Sequence, residues 1–347
     1  MTSHWPEILK IIFGGFMSLS VSLYVAPGLI AAAERYGIVD HPNNPLKQQK
    51  KPVAYLGGLV IFIGFVLGLA ITTQFDQRVL GLLLATSLVV SVGLIDDLGT
   101  LIPRDKFLGQ ILAALILVKS GIQINIAGIP FPVAEALSVF WMVTCMNAFN
   151  IVDVSDGLAT SAAMVSSLGI AIFATISGDW LATVVAVCLL GGCIGFLRFN
   201  KAPARMYLGD TGSMMLGTLL GGLILVGEYS RANELAAFIT PLCLLAVPLF
   251  DLGLVVLARL IARRPIYHGS TDHFAVRLKA AGWSANAISK CASLFGCMLM
   301  GVGIMTSQID SQNAFLALSG ILIFVCAILL FIFARYPAPP ENRGSHS

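Results

Sequence analysis

The stretch LGLLLATSLVVSVGLIDDLGT, residues 80–100, decides the fold. From Val79 to Ile95 no residue carries a charge, and then two carboxylates follow side by side. A helix needs about 20 mostly apolar residues to cross a bilayer, so this run reads as a membrane span ending on Asp96 and Asp97. The same pattern recurs along the chain. Apolar runs between charges predict spans at 11–33, 54–73, 79–95, 107–119, 134–149, 158–176, 180–197, 212–227, 235–257, 286–306 and 314–334. The fourth is short, so the count is eleven, or ten without it.

Composition agrees. Of 347 residues, 57% are hydrophobic and 11% charged, against roughly 25% charged in soluble domains. With eleven spans of about 20 residues, the connections average on the order of ten residues each, which leaves no room for a separate soluble domain. The expectation is an all-α, polytopic membrane protein: a single transmembrane domain over 1–347 with a short tail at 335–347. The seven cysteines all lie in apolar stretches without zinc-site spacing and read as small buried hydrophobes.

Lys and Arg fix an expected orientation. Seventeen of the 21 fall in one set of alternating connections and only four, Lys10, Arg78, Lys119 and Arg231, in the other. The positive-inside rule places the rich set in the cytoplasm, with the N-terminus outside and the C-terminus cytoplasmic. Residues 1–33 carry an Ala31-Ala32-Ala33 run that resembles a cleavage site, but the apolar run is long and its basic flank weak. The expectation is therefore a retained first span.

Charges at span ends are costly and point to function. Asp96, Asp97, Asp153, Asp156, Asp210 and Asp251 all fall at the predicted cytoplasmic ends of spans. Two adjacent carboxylates at a helix C-terminus oppose its dipole, so Asp96 and Asp97 are expected to meet a cation or to transfer a proton. In NAFNIVDVSDGLA, Asn147, Asn150, Asp153 and Asp156 are spaced by three. On a regular helix that set drifts by about 60° per step, so only neighbouring pairs share a face. RFNKAPARMYLGDTGSMMLG surrounds Asp210 with small residues where a helix starts, preceded by Arg198, Lys201 and Arg205. A phosphate can approach such a helix N-terminus, and one carboxylate with substrate phosphates can hold Mg²⁺. The connection 259–285 is the longest and most basic of the cytoplasmic set, which suits an anionic substrate or anionic lipid headgroups; its two histidines, His268 and His273, are too few for a structural metal site.

These motifs together resemble the polyprenyl-phosphate N-acetylhexosamine-1-phosphate transferases, over nearly the whole chain. The match rests on Asp96-Asp97, on NAFNxxDxxDGLA at 147–159 and on GDTGS at 209–213. The resemblance implies transfer of a sugar-1-phosphate from a UDP-sugar to undecaprenyl or another polyprenyl phosphate, in a bacterial plasma membrane with the site at the cytoplasmic face. The product would begin a cell-envelope polysaccharide such as an O-antigen. It implies Asp96, Asp97, Asp153 and Asp156 as catalytic residues, with Asp97 receiving the proton of the lipid phosphate. Asp210 would hold Mg²⁺, replaceable by Mn²⁺. Asn147, Asn150, Asn200, Arg205, Tyr207, His273 and Arg277 would bind substrate, with Tyr207 stacking on uracil and Asn200 contacting the base. A direct transfer and a two-step route through an aspartyl-phosphate both remain open. A homodimer is among the implied partners, and nucleic acid is not.

The chain departs from the family pattern in places. Asp40, Pro42, Asn43, Pro52, Gly57 and Gly58 are kept, but Pro45-Leu46-Lys47-Gln48 replaces the usual Arg and His, and Val154 stands where glycine is usual. STDHFAVRL at 270–278 lacks the triple histidine of the peptidoglycan enzyme, which argues against a muramoyl-pentapeptide substrate. The alternative from another class is a proton- or ion-coupled secondary transporter. Transporter sites lie near the midplane, whereas these acids gather at one face. An intramembrane aspartyl protease would need one facing pair of aspartates, and a CDP-alcohol phosphotransferase would want Ala-Arg after Asp156-Gly157.

Overall fold

A computed structural model describes residues 5–40, 52–125, 129–229, 234–265 and 270–339. The altered 44–51 stretch, Pro42, Asn43, Arg231, His268 and residues 340–347 lie outside the described residues. Among the described residues the regular elements are helices, together with a two-residue antiparallel ladder of β1 (Val39–Asp40) with β2 (Val53–Ala54).

Every predicted span coincides with helix. The first four are α1 (Trp5–Tyr36), α2 (Gly57–Thr72), α3 (Gln77–Asp97) and α4 (Pro103–Lys119). Then come α5 (Phe131–Val152), α6 (Leu158–Ser177), α7 (Trp180–Asn200) and α8 (Gly209–Val226). The ninth span is divided into α9 (Ala236–Leu244) and α10 (Ala246–Ile261), bent by 89°. A short α11 (Phe274–Ala280) precedes α12 (Ala285–Thr306) and α13 (Ser311–Arg335). Eight of these helices are long and apolar enough to cross a membrane, or nine counting the bent pair as one. Helix α2 is apolar but has 16 residues, and α4 has 17 and begins with Arg104, Asp105 and Lys106. Length and apolarity alone therefore support a multi-pass protein with fewer certain crossings than eleven.

Local chemistry sets the ends. Asp76, Asp179, Ser284 and Asp310 each accept a backbone N–H from the first turn of α3, α7, α12 and α13 respectively, which satisfies donors that a helix start leaves open. The break at Leu245 has a local cause. Pro248 would clash with the Leu244 carbonyl if the helix continued, but a proline is tolerated in the first turn of a new helix.

Small residues bring the central helices together. Gly58 of α2 lies so close to Gly212 of α8 that a methyl group has no space, and Gly217 of α8 meets the backbone of α5 at Met146. Helix α8 is consequently enclosed by α2, α3 and α5, with its buried residues running from Thr211 to Ile224. Helix α13 is the opposite case. Only Ala314 and Ile332 are buried along it, and Phe315, Leu316, Ile323 and Leu330 point outward, as suits a helix facing lipid. The cysteines divide accordingly. Cys145, Cys188, Cys193 and Cys243 are buried as expected, whereas Cys291, Cys297 and Cys326 are exposed on α12 and α13, a correction that follows from those helices' outward apolar faces.

Candidate active site

Asp97 and Asp210 meet where α3 ends and α8 begins. The Asp97 carboxylate accepts the Asp210 N–H at 2.7 Å, the Thr211 N–H at 3.1 Å and the Thr211 hydroxyl at 2.6 Å. A negative charge is stabilising beside the partial positive charge of a helix N-terminus. Gly209 makes the approach possible: its φ is +72°, and a Cβ there would stand 2.6 Å from Asp97 Oδ2. The sequence suggested Asp97 as the proton acceptor. In the structure both its oxygens accept hydrogen bonds from the first turn of α8.

Asp210 then faces the other way. Its Oδ1 accepts from Asn150 Nδ2 at 2.6 Å, and its Oδ2 takes the ammonium of Lys106, which also binds Asp96 Oδ2 at 2.8 Å. Asn150 reaches Ser213 Oγ at 3.1 Å as well. Helices α3, α4, α5 and α8 each contribute one group, so two carboxylates converge on one cation. Sequence reading counted Lys106 only as part of the basic set. Its partner Asp210 lies 104 positions away, beyond the reach of any local pattern.

Of the spacing-three set, only Asn147 and Asn150 lie on a helix, α5. Asn147 donates to Gln110 Oε1 at 2.9 Å, and Asn150 turns toward α8. The helix ends at Val152, so Asp153 and Asp156 sit in the following turn, before Gly157 at φ +72°. Asp156 accepts the Ala204 N–H at 3.0 Å and so ties the 201–206 loop to that turn. Asp153 is half-buried among acids. Burial first, and then the charges of Asp210, Asp97 and Asp156, push its carboxyl up to about 8.

The 201–208 segment forms one wall. Asn200 is buried, accepting from Thr160 Oγ1 at 2.8 Å and donating to the Met206 carbonyl at 3.0 Å. Its side chain thus holds the loop together from inside. Tyr207 runs beside the β2 segment: its N–H donates to Ala54 O at 2.8 Å, and the Gly57 N–H donates to Tyr207 O at 3.0 Å. Its ring lies 6.1 Å from that of Tyr55, whose hydroxyl bonds Asp40. Burial and nearby carboxylates raise both phenols, Tyr207 to about 12. Tyr55 was missed from sequence, since nothing local marks it. Arg205 is exposed, with its guanidinium 5.8 Å from the Phe199 ring centre.

Asp251, His273 and Arg277 form a second cluster. Asp251 is fully buried and accepts from the Phe274 N–H at 2.9 Å, with His273 Nδ1 also at 2.9 Å. Arg277 is 4% exposed, and its partners are Asp272, the Tyr336 carbonyl and the Phe333 ring. Expected as substrate ligands, His273 and Arg277 make these contacts within the protein, His273 through Nδ1. Asp251 likewise belongs to this junction and not to the carboxylate group around Lys106. Among the described residues, no group of three or more His, Cys, Asp or Glu has the geometry of a metal site. What the site offers a cation is the converging pair of Asp96 and Asp210.

Comparison with known proteins adds the chemistry. Residues 79–228 match the model of glycosyl transferase family 4. The chain is 30% identical over 338 residues to a probable undecaprenyl-phosphate N-acetylglucosaminyl 1-phosphate transferase of Bacillus subtilis, covering 95% of this chain and 92% of that one. It is also 30% identical over 307 residues to the decaprenyl-phosphate N-acetylglucosaminephosphotransferase of Mycobacterium tuberculosis, with 77% and 76% covered. A phospho-N-acetylmuramoyl-pentapeptide-transferase of Carboxydothermus hydrogenoformans is 27% identical over 325 residues, with 82% and 96% covered.

Proposed function

This chain belongs to glycosyl transferase family 4 and is a phosphoglycosyl transferase, and from that premise we propose that it transfers an N-acetylhexosamine-1-phosphate from a UDP-sugar to undecaprenyl or another polyprenyl phosphate. UMP leaves, and a polyprenyl-diphosphate-sugar remains in the membrane to begin an envelope polysaccharide. The Bacillus subtilis and Mycobacterium tuberculosis relatives carry N-acetylglucosamine and a polyprenyl phosphate in their names. The observation that carries the reading is the convergence of Asp96, Lys106, Asn150 and Asp210 at the N-terminus of α8.

The chemical obstacle is bringing one phosphate anion onto another. An oxygen of the lipid phosphate must attack the sugar-bearing phosphorus while the bond from that phosphorus to the UMP oxygen breaks. Asp210, beside Asp96, would hold Mg²⁺, which would supply charge neutralisation for the diphosphate, and one carboxylate with substrate phosphates is a donor set this ion accepts. Lys106 supplies a fixed positive charge beside the same carboxylates, suited to a phosphate oxygen. Asn150 holds the Asp210 carboxylate in one orientation, and Asp97 keeps the whole first turn of α8 in place. Asp96, which bonds Lys106 and shares a hydrogen bond with Asp210, is the better candidate to take the lipid-phosphate proton. Tyr207 and Tyr55 offer aromatic faces for the uracil.

We further read the chain as crossing a bacterial plasma membrane eleven times, with α2, α4 and the bent α9–α10 pair each counted as a crossing. The charge distribution then puts the N-terminus outside and this site at the cytoplasmic surface. Purified protein given UDP-GlcNAc, Mg²⁺ and polyprenyl phosphate should release UMP only when all three are present. Release of UMP without the lipid would mean hydrolysis, and none with any of a panel of UDP-sugars would overturn the proposal.

A further inference from the structure

The second charged cluster lies at the junction of α10, α11 and the end of α13. Asp251 holds the start of α11 through the Phe274 N–H and His273. From the other side, Arg277 Nη1 donates to the Tyr336 carbonyl at 3.0 Å, and its guanidinium lies 4.8 Å from the Phe333 ring centre. Its Nε and Nη2 donate to the carbonyl and carboxylate of Asp272, each at 3.0 Å. The Thr271 hydroxyl donates to the Pro339 carbonyl at 2.9 Å. Residues 270–280 are thus fastened at two points to the chain's last helix and the four residues after it.

Two features make this fastening more than local packing. Ile332, one of the two buried residues of α13, lies one turn before Tyr336 and beside Phe333, so this end of the helix is packed as well as hydrogen-bonded. The fastened segment also leads directly to the site wall. It runs into α12, where Asn286 donates to the Ala202 carbonyl at 3.3 Å and Ser289 bonds Ser161 at 2.9 Å and Gly157 O at 3.4 Å. Those contacts reach the turn bearing Asp153 and Asp156 and the loop before Tyr207. A buried guanidinium is costly unless its donors are met, so removing the Tyr336 acceptor leaves Arg277 Nη1 unmet, while Asp272 still holds Nε and Nη2, and loosens the segment.

We propose that the end of α13 is a latch on residues 270–280, closed by Arg277 as a positioning residue, and that this latch sets affinity for the nucleotide-sugar without entering the transfer chemistry. The kinetic part rests on the transferase reading above. Truncation after Arg335, which removes the Tyr336 and Pro339 acceptors, should raise the KM for the UDP-sugar about tenfold while kcat stays within about twofold. Arg277→Ala should do the same, and the double variant should be no worse than the worse single one, since both open one contact. Arg277→Lys keeps the charge but loses the fork and should fall between. In each variant the amides of 270–280 should exchange hydrogen faster than in the wild type.

A truncated protein with wild-type KM and wild-type exchange, beside an impaired Arg277→Ala, would overturn the latch and make Arg277 a substrate contact. Faster exchange with unchanged KM would equally overturn the link to donor affinity. If the wild type releases no UMP, the transferase reading fails, and unchanged exchange in the truncated protein would still sink the latch separately.

Discussion

Asp97 grips Thr211 twice, taking its amide at 3.1 Å and its hydroxyl at 2.6 Å on the same carboxylate oxygen. The other oxygen takes the Asp210 amide. Hydrogen bonds to a charged group contribute roughly 1.5–3 kcal/mol each, so this carboxylate is a structural tie between α3 and α8. Asp97→Asn turns an NH₂ toward groups that are themselves donors. The variant should lose thermal stability and activity together, and Thr211→Val should show a smaller loss of both. Inactivity with an unchanged melting temperature would instead assign Asp97 a chemical role.

Lys106 is expected to be as necessary as the carboxylates it joins. Without it, Asp96 and Asp210 face each other with no fixed counter-charge. Lys106→Gln and Asp210→Asn should each slow UMP release by about 10²–10³, the usual cost of losing one preorganised electrostatic group. Because they act on one charge cluster, the double variant should fall well short of the product of the two losses. Full multiplicative loss would show that Lys106 acts independently of Asp210.

The helical frame was legible because membrane spans are written in uninterrupted composition, and each predicted span coincides with helix. The helices run a few residues beyond several of those runs, since caps such as Asp76, Asp179 and Asp310 are polar and fall outside an apolar window. Asp96, Asp97, Asn150 and Asp210 could be picked out because charge and amide groups at span ends need a reason. Their division of labour could not. Nothing local says that Asp97 faces the α8 amides while Asp96 faces Lys106, because that depends on how α3 is rotated against α8. Likewise the basic 259–285 connection suggested substrate contacts, yet Arg277 is closed over by α13, a neighbour 59 positions away at Tyr336. The transporter alternative loses its support once the comparisons identify the chain as a transferase.

Orientation can be tested on two exposed positions at opposite ends of the bundle. Ala281 follows α11, and Gln77 begins α3. With the seven native cysteines removed, Ala281→Cys should resist an impermeant thiol reagent in intact cells and react in inverted vesicles. Gln77→Cys should do the reverse. The opposite pattern would place the carboxylate cluster outside and remove the cytoplasmic assignment of the site.

Asp153 makes the metal-free protein sensitive to pH in a definite direction. Its carboxyl ionises near 3.8 in an unfolded chain and is raised to about 8 in the fold, by burial and then by Asp210, Asp97 and Asp156. Between those values the folded protein keeps a proton that the unfolded chain has released. Linkage then makes stability fall as pH rises through that window, because the unfolded state binds fewer protons. Below the window the two states are protonated alike, and this contribution is fully present. Asp153→Asn cannot ionise and should remove the fall. In detergent with a chelator present, the melting temperature of the wild type should therefore drop more steeply from pH 5 to pH 8 than that of Asp153→Asn. Parallel profiles would mean that Asp153 is charged in the fold throughout, and that a cation or hydrogen-bond donor beside it offsets its acidic neighbours.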